Sequence, residues 1–172
     1  MFANIANFSN TSDYLPLFSG VLITDLLVIL IMDMKLIPSK VLKEWYAKYN
    51  LSAVIADVFI IFIGLIIARF VYYSIFEKFT IMQFILIAVS IQVFHDILFY
   101  LFFINVPRGV NHMLDTFKDY ANEVSYNAIL VDSAMMIVAS LIASYLAGKS
   151  LNINIITLVV AIYVLPYLLY QV

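Results

Sequence analysis

Five long apolar runs alternate with short polar segments along the chain. A helix needs about 20 apolar residues to cross the hydrocarbon core of a bilayer, so each run predicts a membrane-spanning helix. The predicted spans cover residues 14–35, 51–74, 80–104, 124–147 and 151–170. The fifth follows a short Gly-Lys-Ser turn and contains Pro166. It therefore either crosses the membrane fully or forms a bent, partly inserted hairpin partner of the fourth span.

Two of the connections between spans have the periodicity of amphipathic helices. Their apolar positions are Val41, Leu42, Trp45 and Tyr49 in residues 38–50, and Val110, Met113, Leu114, Phe117 and Ala121 in residues 109–123. Lysine and acidic residues lie mainly opposite these faces, and a tryptophan is typical of the headgroup level. We therefore predict two helices that lie on the membrane surface, with anchoring as their simplest role.

Basic residues predict the orientation of the spans. The two amphipathic connections carry Lys35, Lys40, Lys43, Lys48, Arg108 and Lys118, whereas the connections on the opposite side carry only Lys78 and Lys149. Because connections rich in lysine and arginine stay in the cytoplasm, we expect both amphipathic segments there. The N-terminus is then outside and the C-terminus cytoplasmic.

Composition agrees with a single integral membrane domain over residues 1–172, since 65% of the residues are hydrophobic and only 12% are charged. The chain has no cysteine, which excludes disulfides, thiolate metal sites and cysteine nucleophiles. Residues 1–13 contain no lysine or arginine, unlike a cleaved signal peptide, so the first span is interpreted as a retained anchor. No nucleotide-binding loop or nucleic-acid patch is visible, and no cofactor is predicted.

The chain also matches itself at a fixed offset. A shift of 75 positions aligns Asp57 with Asp132, and a shift of 71 aligns Asp25 with Asp96. The repeated unit would be span, surface helix, span, over residues 14–74 and again over residues 80–147, with the fifth span added afterwards. Chance similarity between apolar segments remains the alternative to descent.

Four predicted spans contain an aspartate, and together these aspartates predict a polar layer inside the membrane. If each span is centred in the bilayer, Asp57, Asp96 and Asp132 lie about 6 Å to the cytoplasmic side of the centre, and Asp25 lies close to it. A charged side chain at that depth costs about 2.5 to 3.5 kcal/mol, so the four should face the interior of the bundle. We expect some to be protonated or to share a bound cation.

Further polar residues extend this candidate layer. Gln92 and His95 lie within one helical turn of Asp96, and Ser133 follows Asp132. Arg69 lies about 18 Å further out than Asp57, where it would reach towards the outer surface as a gate or an ion-pair partner. These side chains either relay protons or cations, or they hydrogen-bond across helices and only hold the bundle together.

Catalysis is the least favoured interpretation of the layer. The site has one central histidine, so a metal site is weakly indicated and its metal is unknown. Serine catalysis lacks a glycine-rich turn at Ser133. An intramembrane aspartyl hydrolase would need Asp96 and Asp132 to share a proton.

The stretches "SAVIADV", "HDILFY", "VPRGVNHMLDTFKDYA" and "VDSAMM" resemble uncharacterised small multi-pass membrane proteins encoded by large DNA viruses of algae and protists. The resemblance covers about residues 41–147 and carries no catalytic residues with it. It implies a viral protein of the virion's internal membrane or of host membranes, with viral structural proteins among its partners.

We therefore predict an all-α bundle of about five spans with two cytoplasmic amphipathic helices. Its predicted partners are the lipid bilayer and, in a homo-oligomer, further copies of the same chain. Three functions stay open: a viral membrane-organising protein, a small proton- or cation-coupled channel or transporter, and, least favoured, an intramembrane hydrolase.

Overall fold

The computed structural model describes residues 2–170, and these residues form seven α-helices and one short 3-10 turn with no β-strand among them. The helices are α1 (Tyr14–Asp33), α2 (Lys40–Tyr49), α3 (Leu51–Ile75), α4 (Ile81–Asn105), α5 (His112–Val124), α6 (Asn127–Ala147) and α7 (Leu151–Leu169). The predicted all-α class is confirmed.

Five helices, α1, α3, α4, α6 and α7, are long and apolar enough to cross a membrane. They agree with the five predicted spans to within three residues at every end. The largest difference is the start of the fourth span, because residues 124 and 125 belong to the end of α5 and the turn after it. α7 continues through Pro166, which removes the backbone N–H that would donate to the carbonyl of Ile162 and is followed by only three helical residues. The chain therefore has the helices of a multi-pass membrane protein.

Helix α1 is the centre of the bundle and packs against α3, α6 and α7, while α4 packs against α3 and α6. The contact between α1 and α6 is unusually close at Gly20, where an added Cβ atom would lie 2.8 Å from the backbone nitrogen of Ala143. Ala139 and Ala143 are fully buried in the same contact. Small residues permit this approach, as is common where helices associate in membranes.

The two amphipathic helices, α2 and α5, pack against each other and against the spanning helices at one end of the bundle, which we call the amphipathic end. Both helices were predicted from their periodicity. The structure differs from a simple surface anchor at Trp45 and Tyr46, which are 4% and 3% exposed. Both side chains point into the bundle because each has a carboxylate partner there.

The N-terminal segment closes the opposite end of the bundle. The backbone nitrogen of Ala3 bonds to the carbonyl of Ser144, the Ser144 hydroxyl bonds back to the carbonyl of Ala3, and Ile5 is fully buried. This segment also covers Arg69, whose guanidinium donates to the carbonyls of Asn7 and Asn10.

Arg69 differs from the expectation that it would extend towards the outer surface. Its side chain is buried, it forms an ion pair with Asp13 at 3.3 Å, and it lies 4.7 Å from the ring of Tyr14. Acceptors near the start of α1 all meet the Nη2 atom of the guanidinium, while Nε and Nη1 are buried without a partner among residues 2–170. The ion-pair interpretation agrees with this geometry, and a gating role stays a prediction.

Candidate functional site

A cavity of about 570 Å³ lies beneath the amphipathic end of the bundle. Its walls come from α3, α4 and α6, and α2 and α5 cover it. Three of the four predicted aspartates line it, namely Asp57 from α3, Asp96 from α4 and Asp132 from α6. The structure therefore brings carboxylates from three spanning helices to one internal space. The cavity extends to exposed residues, among them Tyr100 and Tyr126, so it reaches the surface of the protein.

Trp45 and Tyr46 connect α2 to two of the aspartates. The indole N–H of Trp45 donates to Asp57 Oδ2 at 2.9 Å, and the hydroxyl of Tyr46 donates to Asp25 Oδ1 at 2.9 Å. Burial and the charges of Asp57 and Asp25 raise the pKa of Tyr46 well above its usual 10.0. Its hydroxyl therefore stays protonated and remains a donor at physiological pH.

Asp25 is the aspartate that does not line the cavity. It is fully buried, and its Oδ2 atom has no hydrogen-bond partner among residues 2–170. Tyr46 lines the cavity, and its hydroxyl interacts electrostatically with the carboxylate of Asp57. The hydroxyl of Tyr46 thus connects the sealed carboxyl of Asp25 to the cavity.

Gln92, His95 and Asp96 form a hydrogen-bonded group on α4, as their spacing predicted. The amide of Gln92 donates to Asp96 Oδ1 at 2.7 Å, and Nδ1 of His95 lies 3.2 Å from the same oxygen. The side chain of His95 is 35% exposed and that of Asp96 is 14% exposed. Asp96 Oδ2 has no partner in the part of the chain that the structure describes. One oxygen of Asp96 is thus held by its own helix while the other is free to accept.

Asp132 on α6 lines the cavity and interacts by charge with Asp96 and Asp57. Its carboxylate makes no hydrogen bond with any described residue, 2–170, and the predicted neighbour Ser133 is not among the lining residues. Tyr120 on α5 also lines the cavity. Burial and the charges of Asp132, Asp57 and Glu123 raise the pKa of Tyr120, so its hydroxyl stays protonated beside Asp132.

The ionisable side chains that line the cavity are mainly acidic. It contains three aspartates and His95, and no lysine or arginine is among the lining residues described. No three His, Cys, Asp or Glu side chains in residues 2–170 are grouped closely enough to hold a metal ion. Asp96 and Asp132 interact by charge but share no hydrogen bond. The hydrolase interpretation requires such a bond between the two carboxyl groups. The arrangement is suited to binding a positive charge in a space larger than a single ion.

Three lining residues were missed as site residues, namely Trp45, Tyr46 and Tyr120. The amphipathic pattern predicts that Trp45 lies on the apolar face of its helix, but it does not show that this face covers carboxylates. One signal was present: the shift that aligns Asp57 with Asp132 also aligns Trp45 with Tyr120, again by 75 positions. If the repeat is extended to the amphipathic helices, it places Trp45 twelve residues before Asp57 and Tyr120 twelve residues before Asp132.

Comparison with protein-family models, with curated protein sequences and with solved structures finds no match to this chain. The function of the chain is therefore inferred from the geometry of its cavity.

Proposed function

We propose that the chain is a small proton- or cation-coupled membrane transporter or channel, in which the cavity beneath α2 and α5 is the binding site. Asp57, Asp96 and Asp132 bind the proton or cation, and His95 is the neighbouring base. The observation that supports this proposal most directly is the convergence of three carboxylates from three spanning helices on one cavity of about 570 Å³.

The openness of the polar layer favours transport over structural bonding alone. Carboxylates that served only to join helices would be sealed and fully hydrogen-bonded to one another. Instead, Asp132 accepts no hydrogen bond from residues 2–170, and it lines a cavity of about 570 Å³ that reaches the surface of the protein. Ionisable side chains in contact with a water-filled cavity inside a membrane are typical of proton and ion pathways.

Flux into liposomes tests the proposal. The purified protein is reconstituted, and proton and monovalent cation flux is measured for the wild type, for Asp96→Asn and for the matched control Asp119→Asn. Asp119 pairs with Arg108 at an exposed position outside the cavity, so its replacement should leave the flux unchanged. We expect Asp96→Asn to reduce the flux about tenfold or more, because it removes an ionisable group of the layer. Equal flux through the Asp96 variant and the wild type would contradict the assignment.

The second candidate is a membrane-organising protein, with the role that the viral resemblance implies, in a virion membrane or a host membrane. The bonds from Trp45 to Asp57 and from Tyr46 to Asp25 favour it, since each joins an amphipathic helix to a spanning helix. Its partners would then be other copies of the chain or viral structural proteins. Absence of any flux through wild-type protein, together with a folded bundle, would support this candidate over the first.

A further inference from the structure

We propose that the cavity binds an organic cation with an apolar body, such as an aryl or alkyl ammonium compound, in preference to a bare metal ion. This inference rests on the proposed function and names the class of solute for the same site. Ligand cavities for small organic molecules have volumes of about 300 to 1,000 Å³ and are mostly apolar with a few polar groups. The present cavity, of about 570 Å³, is lined mainly by aromatic and aliphatic side chains.

Aromatic side chains surround the carboxylates. Trp45 and Tyr46 from α2, Phe117 and Tyr120 from α5, and Phe99 from α4 line the cavity. Several are held in fixed mutual orientation, since the Phe117 ring centroid lies 4.8 Å from that of Trp45 and 5.1 Å from that of Phe99. The faces of aromatic rings attract cations, and this attraction grows when the site excludes water. These walls therefore suit the apolar body and the charged group of one ligand.

The carboxylates supply the charge that selects a cation over a neutral molecule. Asp132 has no hydrogen-bond donor among the described residues, and Asp96 Oδ2 is buried and unpaired in the same residues. Asp57, in contrast, already accepts the Trp45 indole N–H. Asp132 and Asp96 are thus the lining carboxylates that keep an acceptor without a donor. A bound ammonium group would supply the missing positive charge to both, whether or not it carries N–H donors.

A dehydrated metal ion fits the same site less well. Calcium takes six or more oxygen ligands and zinc takes four ligands at about 2 Å, which requires closely grouped side chains. Residues 2–170 contain no such group of three or more His, Cys, Asp or Glu side chains. The carboxylates instead line a space with room for a larger solute.

Binding of two probes of equal shape tests the inference. Benzyltrimethylammonium and its neutral carbon isostere, neopentylbenzene, are titrated against the full chain in detergent micelles, with empty micelles as the blank. We expect saturable binding of the cation and at least tenfold weaker binding of the neutral isostere. Asp132→Asn should weaken binding of the cation about tenfold or more, whereas Glu77→Gln, at an exposed position in the α3–α4 connection, should leave it unchanged.

The outcomes separate this inference from the proposed function. Equal binding of both probes, or equal affinity of the Asp132 variant and the wild type, would overturn the assignment of an organic-cation site. Competition by sodium, potassium or magnesium at concentrations equal to that of the organic cation would also overturn it, because the site would then select small ions. If neither probe binds while flux in liposomes still depends on Asp96, the inference fails and the proposed function stands. The comparison of the two probes on wild-type protein needs no variant to fold.

Discussion

The four aspartates of the predicted polar layer differ in their hydrogen-bond partners. Asp25 is sealed beneath Tyr46, and Asp57 accepts from an indole. Asp96 is held by residues of its own helix, while Asp132 has no donor in residues 2–170. Since proton affinity depends on burial, charge and hydrogen bonding, four chemically identical residues are expected to play different parts. Asp25 is bonded to Tyr46 and contributes to the structure, while Asp57, Asp96 and Asp132 line the cavity that we propose as the binding site.

The bond between Tyr46 and Asp25 leads to a prediction about stability. Tyr46→Phe removes the only hydrogen-bond donor to Asp25 among the described residues and leaves a fully buried carboxyl without a partner. We expect the free energy of unfolding in detergent micelles to fall by about 1 to 3 kcal/mol, the cost of an unsatisfied buried polar group. Denaturant titration followed by circular dichroism measures the change.

The matched control for this prediction is Tyr49→Phe on the same helix. The hydroxyl of Tyr49 pairs with Thr116 at 3.0 Å in a partly buried position, and no carboxylate depends on it. We expect a loss of about 0.5 to 1.5 kcal/mol there, the net value of an ordinary hydrogen bond. Equal losses in the two variants would show that Tyr46 does not serve Asp25 in particular.

The sequence was informative about which residues form the polar layer and uninformative about what each one contacts. Helical spacing predicted the group of Gln92, His95 and Asp96 because residues four apart on a helix are neighbours wherever the helix lies. Hydrogen bonds between helices, such as Trp45 to Asp57, depend on how the amphipathic helices dock. Arg69 is a further case, since its partners lie in an N-terminal segment whose polar sequence gives no periodic signal. Contacts within one helix were therefore predictable, and contacts across helices were not.

At the scale of the element, α2 is held by a carboxylate from α5. Glu123 accepts hydrogen bonds from the Ser39 hydroxyl at 2.6 Å, from the Lys40 backbone nitrogen at 2.8 Å and from the Val41 backbone nitrogen at 3.1 Å. These are unpaired donors at the N-terminus of a helix, where the helix dipole favours a negative charge. The two amphipathic helices are thus joined into one cover over the cavity.

This contact predicts a dependence of stability on pH. Partial burial alone would raise the pKa of Glu123, but the hydrogen bonds from Ser39, Lys40 and Val41 outweigh it and lower the pKa below its usual 4.5. A carboxyl whose pKa is lower in the folded state stabilises the fold above its unfolded pKa. That contribution is lost as the pH falls through the lowered value.

The measurement compares wild type with Glu123→Gln in unfolding titrations between about pH 3 and pH 7. We expect the wild type to be more stable by about 0.5 to 1 kcal/mol at neutral pH, a modest value because Glu123 is exposed to solvent and screened. The difference should shrink below the usual pKa of 4.5. Glu77→Gln, which removes an exposed glutamate at the opposite end of the bundle, should show no such trend. A difference that stays constant down to pH 3 would contradict the role of the ionised carboxylate.

At the scale of the whole molecule, the internal duplication stays a prediction, and the order of elements repeats as it would require. Span, amphipathic helix and span occur in α1 to α3 and again in α4 to α6. The turns that end the two amphipathic helices have the same rare backbone conformation, with φ of 48° at Asn50 and 53° at Ser125. These two positions are 75 apart, the shift that also aligns Asp57 with Asp132. We propose that the cavity lies between two halves of common origin, as in many transporters with repeated units.

The spans themselves could be predicted because bilayer thickness imposes a length on each apolar helix, whatever its neighbours. Which spanning helices pack against each other does not follow from bilayer thickness. α7 is joined to α6 by a three-residue connection but packs mainly on α1, where Ala161 and Leu165 are buried. Since every span is apolar on all sides, its sequence does not distinguish the face that meets lipid from the face that meets another helix.

Orientation across the membrane is the remaining property of the whole molecule. We propose that the amphipathic end faces the cytoplasm, since its connections carry six of the lysine and arginine residues and the opposite connections carry two. The absence of cysteine from the chain allows a direct test with single introduced cysteines. Ser9→Cys, Ala47→Cys and Asn152→Cys change exposed positions and alter no charge.

A membrane-impermeant maleimide should label the Ser9 and Asn152 variants in intact cells, because both positions lie at the end away from α2 and α5. The Ala47 variant, on the exposed side of α2, should react only after the membrane is permeabilised. Labelling of the Ala47 variant alone in intact cells would reverse the proposed orientation while leaving the five spans intact. Labelling of Ser9 without Asn152 would contradict the five-span topology, since α1, α3, α4 and α6 could not then all cross. In the expected orientation the covered cavity faces the cytoplasm, so a transported solute would enter or leave on that side beneath α2 and α5.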